Sequence, residues 1–283
     1  MAKILACIDG SVYSESVADH AGWAAGRLGV PVEILRVLDA RAAPGAADRS
    51  GRIVAGARRK LLEELAELDA ERHKLEHKEA WLAVDEAKAR AIAAGAPEAV
   101  TAVRHGDLLE TLDEREEDAE LVVVGKRGEA ADFATLHLGS NLERMVRATR
   151  RPMLLTSRAF RPVSRALIAF DGGPATLKAV DAVSRSPLYG GVALTLLAVG
   201  QAEGTLRAAL DTAAGQLRAG APEVEARLEP GRPEDVVAKA VEDEGFDLLV
   251  MGAYGHSRLR QLFIGSTTSE LIRSCKVPAA IYR

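Results

Sequence analysis

The sequence predicts two tandem doubly wound α/β domains, each a five-stranded parallel sheet with helices on both faces. Three observations carry that expectation. The chain has 283 residues, enough for two domains of ordinary size. Its short strand-like runs are continuously apolar and rich in Val, Ile and Leu, as strands buried on both faces are, and helical stretches alternate with them. The whole series also occurs twice in the same order.

Each element of the first series has a counterpart in the second. KILACIDGS (3–11) matches RALIAFDGG (165–173), and both read as a first strand ending in Asp-Gly. VEILRVLD (32–39) matches VALTLLAVG (192–200) as the second strand. VRHGDLLETL (103–112) matches LEPGRPEDVV (228–237), the exit from the third strand into a helix. AELVVVGKRG (119–128) matches FDLLVMGAYG (246–255), a fourth strand running into glycines. RPMLLTS (151–157) matches VPAAIYR (277–283) as the fifth. The expected domains are 1–157 and 165–283, with 158–164 as linker.

The halves differ between their second and third strands. The first carries a helical segment over about 51–95, where the second has only about 202–220. A continuous helix over that stretch is roughly 60 Å long and exceeds a domain, so it must bend, break or project. Leu61, Leu68, Leu75 and Leu82 recur every seven residues, with Ala89 next, which makes a narrow seam suited to a partner helix. The plainer expectation is that this seam packs on its own sheet or on the other half.

Bulk properties exclude several functions. The net charge is −4 and aromatic residues make up 4% of the chain, so neither an electrostatic grip on nucleic acid nor a base-stacking platform is expected. No apolar run reaches the length of a membrane span. The apolar part of Met1 to Asp9 is too short for a secretory leader and reads as a strand. Cys7 and Cys275 sit in or beside apolar runs and are expected as buried free thiols in a reducing, cytoplasmic setting.

The chemistry concentrates where strands end. In a doubly wound sheet ligands bind beyond the carboxyl ends of the strands, at the switch point. Asp9, Asp171, Gly125 and Gly252 are expected at such ends. In the second half Gly252 and Gly255 allow a tight turn and close approach of a ligand to the backbone. Gly265, Ser266 and Thr267 then open a helix whose unpaired amides and dipole favour an anion, with two hydroxyls beside them. Asp171 can accept hydrogen bonds from a ribose hydroxyl or a purine amine, and Val199 can flank a flat base.

The spacing Gly-x2-Gly-x9-Gly-Ser/Thr, met by Gly252, Gly255, Gly265 and Ser266, resembles the ATP-binding signature of the universal stress protein family. The resemblance covers essentially the whole chain, twice. It implies flavodoxin-like (adenine nucleotide α-hydrolase-like) domains, with ATP phosphates at the glycine loop, adenosine near the Asp, and Mg²⁺ held by phosphates and water. It further implies an intramolecular pseudo-dimer in which Met153 to Thr156 lies against Ala279 to Tyr282, with a homodimer as an option and the protein partner unnamed.

The first half holds a weaker candidate site: Asp9, Val37, Gly125, Gly128, Gly139 and Ser140. Ten residues separate Gly128 from Gly139, and Glu129 and Asp132 inside that loop would repel phosphate. Lys126 and Arg127 would attract it.

Other motifs are set aside. Gly125-Lys126-Arg127 lacks the hydroxyl and the glycine spacing of a Walker A loop. The Asp-Gly turns have their Asp first, unlike the Ser-Gly-Gly-x-Asp loop of ATP pyrophosphatases. His73 and His77 lack the zincin glutamate and read as solvated helix surface. His256 reads as an exposed loop residue. His105 and His137 carry no partner pattern, and the acidic run from Glu110 to Glu120 reads as an exposed face. No catalytic residue is assigned. The expected function is ATP binding by a cytoplasmic stress-response regulator. A slow ATPase and a nucleotide-free scaffold using the helix seam are the competing readings.

Overall fold

The structure, a computed structural model, describes residues 2–38, 55–126, 140–200, 204–221, 223–253 and 265–283, except the side chains of 55–63 and 140. In the first half β1 (Lys3–Ile8), α1 (Ser14–Leu28), β2 (Val32–Leu38), α2 (Ala55–Ala93) and β3 (Ala99–His105) are followed by α3 (Leu108–Arg115), β4 (Ala119–Gly125), α4 (Ser140–Ala148) and β5 (Met153–Thr156). In the second, β6 (Arg165–Phe170), α5 (Pro174–Arg185), a 3-10 turn (Pro187–Tyr189), β7 (Ala193–Val199), α6 (Thr205–Leu217) and β8 (Val224–Glu229) precede α7 (Pro233–Asp243), β9 (Leu248–Gly252), α8 (Ser266–Ser274) and β10 (Ala279–Tyr282).

All these strands form one sheet in the order β3-β2-β1-β4-β5-β10-β9-β6-β7-β8. Every neighbouring pair is parallel except the central one, where Ala279, Ala280 and Ile281 of β10 lie antiparallel to Leu155, Leu154 and Met153 of β5. The apolar runs are continuous because both faces are covered. In β4, Leu121 and Val123 join the core under α1, while Val122 and Val124 join the core under α4.

The long segment is one unbroken helix of 39 residues that projects. Among its described side chains, those that pack are at its end, with Ala80, Val84, Ala87 and Ala91 buried. A Cβ on Gly22 of α1 would lie 2.2 Å from the Ala91 carbonyl oxygen, so glycine is what lets the two helices close. The leucine seam does not pack on its own sheet or on the other half: Leu68, Leu75 and Leu82 are 62%, 68% and 63% exposed. The side chain of Leu61 lies outside the described residues. His73 and His77 are exposed, as expected, while one reading of a charged side chain changes. His77 stacks on His105, with ring centroids 5.6 Å apart, and accepts a hydrogen bond from the Trp81 ring at 3.3 Å. Glu116, inside the acidic run, is buried and accepts the Arg150 amide.

The halves are also joined by side chains, and the ties are reciprocal. Lys126, just past β4, donates to the carbonyls of Cys275 (2.8 Å) and Val277 (2.5 Å), behind the end of α8. Arg283, just past β10, donates to the carbonyls of Arg147 and Thr149, at the end of α4, both at 2.7 Å. Each half thus places a cation on the carbonyl-rich end of the other's last helix, where the dipole favours it. Arg27 of α1 adds bonds to the carbonyls of Leu188 and Gly190. Within the second half, the Tyr189 and Tyr282 hydroxyls meet at 2.7 Å in the interior.

The connecting stretch packs on His20. Its ring stands edge-on to Phe160, and Nδ1 donates to the Ser16 carbonyl at 2.7 Å. Nε2 is buried with no partner among the described residues, so a proton there would be a donor without an acceptor. Burial accordingly pulls His20 down from 6.5 to about 4. The unfolded chain then binds the extra proton more tightly than the folded one. Stability is intact above about pH 6.5 and falls as pH drops toward 4, by up to about 3 kcal/mol. Between about pH 6.5 and 4 the wild type should lose stability relative to His20→Leu by that amount, read from melting curves of the two. Parallel curves would rule this histidine out as the cause.

Both cysteines are free, and burial raises both thiols, Cys7 to about 12. Among the described residues no helix is long and apolar enough to cross a membrane.

Candidate functional site

The strand order reverses between β6 and β9, which are direct neighbours. The carboxyl ends of these two strands therefore border the crevice in which open α/β sheets bind ligands. Asp171 directly follows β6, Gly252 ends β9 and Val199 ends the adjoining β7. Gly265 is the N-cap of α8, and Ser266 and Thr267 are its first two residues. The fold brings these six residues to the same end of one set of strands. Gly255 lies outside the described residues, as does His256.

The Asp171 carboxylate is fixed from within. Its Oδ1 accepts the Gly173 amide at 2.8 Å and lies 2.7 Å from the Thr176 hydroxyl, which also sits 3.0 Å from the Gly173 carbonyl. The half-buried group is thus anchored to the start of α5 and held in one orientation at the crevice. Thr176 was not singled out from the sequence. A signal existed: in both halves a hydroxyl stands five residues after the Asp. In the first half it is Ser14, whose Oγ accepts the Gly10 amide at 3.0 Å.

Gly252 serves differently from expectation. It is not among the described glycines with positive φ. A Cβ there would meet the Ala175 Cβ at 2.8 Å and the Thr176 amide nitrogen at 3.1 Å, so this glycine admits the first turn of α5 against β9. Gly265 has φ −55° and ψ 142°, which any residue can adopt, and it offers α8 no side-chain cap. The helix start is held instead by Thr268, a residue the sequence reading missed, whose hydroxyl donates to the Gly252 carbonyl at 3.3 Å. The Ser266 side chain is exposed and that of Thr267 half-buried. An α8 first turn with no N-cap side chain, two hydroxyls and a fixed carboxylate on the neighbouring strand is chemically suited to an anion bearing a sugar or base.

In the first half Asp9 follows β1, Val37 lies in β2, Gly125 ends β4 and Ser140 starts α4. Gly128 and Gly139 lie outside the described residues, together with Arg127, Glu129, Asp132 and His137. Asp9 is exposed and its Oδ1 accepts the Ser11 amide at 2.9 Å. The expectation that Lys126 attracts phosphate is corrected. Lys126 is 6% exposed, and its ammonium reaches across to donate to the Cys275 and Val277 carbonyls behind α8, where the helix dipole favours a cation. A different cation, Arg36 of β2, lies against Gly10: its Nη2 is 3.0 Å from where a Gly10 Cβ would stand. At the position of Thr268 this half has buried Leu142, which has no hydroxyl to tie α4 to β4.

Comparison with known proteins bears on the fold and the family. The universal stress protein family profile matches residues 1–157 and again 162–283. The universal stress protein Slr1230 of Synechocystis is 35% identical over 287 residues, covering 100% of each chain. Among solved structures, a universal stress protein from Archaeoglobus fulgidus superposes with a TM-score of 0.70 at 20% identity, over 100% of this chain and 98% of that one. The Pseudomonas aeruginosa protein PA1789 gives 0.63 at 15%, over 99% and 92%. These two similarities bear on the fold, and the matched profile and the full-length relative bear on descent: the chain belongs to the universal stress protein family, with two copies of the family's domain in tandem.

Proposed function

We propose that the second half, taken as a domain over 165–283, binds ATP at the carboxyl ends of β6, β7 and β9. The chain would act as a nucleotide-dependent regulator in the cytoplasm. One observation carries the reading. The unbroken signature begins at the end of β9 and finishes at the start of α8, beside the switch point and the fixed Asp171. The triphosphate would lie along the glycine loop and the first turn of α8, with Ser266 and Thr267 donating. Mg²⁺ would be held by phosphate oxygens and water. Asp171 would take the ribose or the base, and Val199 would flank the base. The first half, 1–157, is the weaker site: its glycine spacing is longer, Lys126 is committed elsewhere and Leu142 replaces the tying hydroxyl. Residues 158–164 connect the two.

Mass spectrometry of the freshly purified, denatured protein tests this directly. Bound ATP supports the reading, bound ADP favours a slow ATPase, and no nucleotide favours a scaffold. Asp171 offers a finer test. Asp171→Ala is expected to weaken ATP binding by about 1.5–3 kcal/mol, the range for a hydrogen bond to a charged group. The fold should be kept, at a loss of about 1 kcal/mol for the anchored start of α5. Asp171→Asn keeps an acceptor for Gly173 and Thr176, so it separates the two effects. Unchanged affinity in both variants would remove Asp171 from the site.

A further inference from the structure

The projecting helix α2 exposes a stripe of leucines that no other described part of the chain covers. Leu68, Leu75 and Leu82 are each more than three-fifths exposed, on a surface where large apolar side chains in register need a partner. The stripe points away from the protein's own body. Val84 packs inward, and Leu82, two residues earlier, is rotated by about 200° around the helix. An approaching helix would therefore meet no part of this chain's sheet.

The charges beside the stripe say which helix fits. Glu71 and Lys78 border it on one side, Arg72 and Glu79 on the other, by the helical period. Consider a second copy laid antiparallel, with Leu75 on the two-fold axis. Leu68 of each copy then faces Leu82 of the other. Glu71 comes level with Lys78 of the second copy, and Arg72 with Glu79, each pair within about one residue's rise. Symmetry doubles both pairs. A parallel pair also sets opposite charges level, Arg72 with Glu71 and Glu79 with Lys78, but it brings both bodies to the same end of the coil, whereas the antiparallel pair carries them at opposite ends. The self-complementarity of this one register is an isologous arrangement. The bodies, attached at the packed ends of the helices and on their outer faces, stay apart.

We infer that α2 is a self-association element: two copies of this chain pair through an antiparallel two-helix coil centred on Leu75. The present partners of these charges do not oppose it. Arg72 bonds to Glu76 one turn away at 2.6 Å, and Glu79 sits 3.7 Å from Arg36; both lie on the surface, 53% and 72% exposed, where such pairs contribute little.

Sedimentation equilibrium of the full chain tests the proposal. At tens of micromolar the wild type is expected at twice its 30.0 kDa chain mass. Leu75→Glu, at an exposed helical position, should sediment at the chain mass with unchanged circular dichroism. Arg72→Glu should weaken association by roughly tenfold, since two favourable pairs become two repulsive ones. Arg72→Glu combined with Glu79→Arg should restore it. Leu75→Cys should give a disulfide-linked dimer under mild oxidation, and Leu68→Cys should not. A wild-type monomer throughout, which would leave the stripe to some other protein, overturns the inference. So does a dimer indifferent to Leu75→Glu, a reversed pair no tighter than the single variant, or ready self-linking through Leu68→Cys.

Discussion

Gly255→Val is expected to abolish measurable heat on calorimetric titration with ATP, while Gly128→Val leaves the titration nearly unchanged. The contrast follows from where the signature stands. Gly255 comes two intervening residues after Gly252, the last residue of β9, and nine before Gly265, the N-cap of α8. A chain that must turn there and let phosphate oxygens approach its amides has little room for a branched side chain, and valine's restricted backbone makes the turn costlier. Gly128 lies in the longer loop of the half whose Lys126 is engaged elsewhere. If Gly255→Val binds as tightly as the wild type, the principal site is not on β9. If Gly128→Val is the variant that fails, the ranking of the halves is inverted.

Lys126→Met should cost about 3 kcal/mol of stability, with a fall in melting temperature of roughly 5 °C or more. Methionine keeps the apolar stem and removes the ammonium. The Cys275 and Val277 carbonyls then lose charge-assisted donors in a buried place, and bonds of that kind contribute about 1.5–3 kcal/mol each. Arg283→Met is expected to cost less, because Arg283 is half-buried and water can replace it. Thermal melts followed by circular dichroism decide the matter. A Lys126→Met protein that melts with the wild type would mean that water satisfies those carbonyls without the lysine.

Lys126 also marks where the sequence stopped being legible. The repeats, the succession of strands along each half and the strand-end positions of Asp9, Asp171, Gly125 and Gly252 could be read because burial on both faces forces continuous apolar runs. What Lys126 bonds to could not, because its acceptors lie 149 and 151 residues away and the local pattern, a lysine between two glycines, resembles an anion loop. Gly252 was legible as necessary but not for its reason. A turn glycine and a glycine that admits a neighbouring helix look alike in one dimension. The leucine seam was read correctly as heptad-spaced, yet its direction depended on which face of α2 the alanines at 80, 87 and 91 would claim, and alanine carries little weight in a hydrophobic pattern. Thr268 left no local mark either, since its partner carbonyl belongs to a residue 16 positions earlier.

The antiparallel join of β5 and β10 sets where the two crevices open. Since every other neighbouring pair is parallel, the strands of the two halves run in opposite senses. The crevice at β1 and β4 and the crevice at β6 and β9 therefore open at opposite ends of the slab. One small molecule cannot bridge them, and occupancy of one leaves the approach to the other sterically untouched. Between the two crevices lie the four-residue strands at the centre, the two cations laid across them and the Arg27 tie to the Leu188 and Gly190 carbonyls. If both crevices take a ligand, a partner that reads both at once would have to grasp the molecule from two poles.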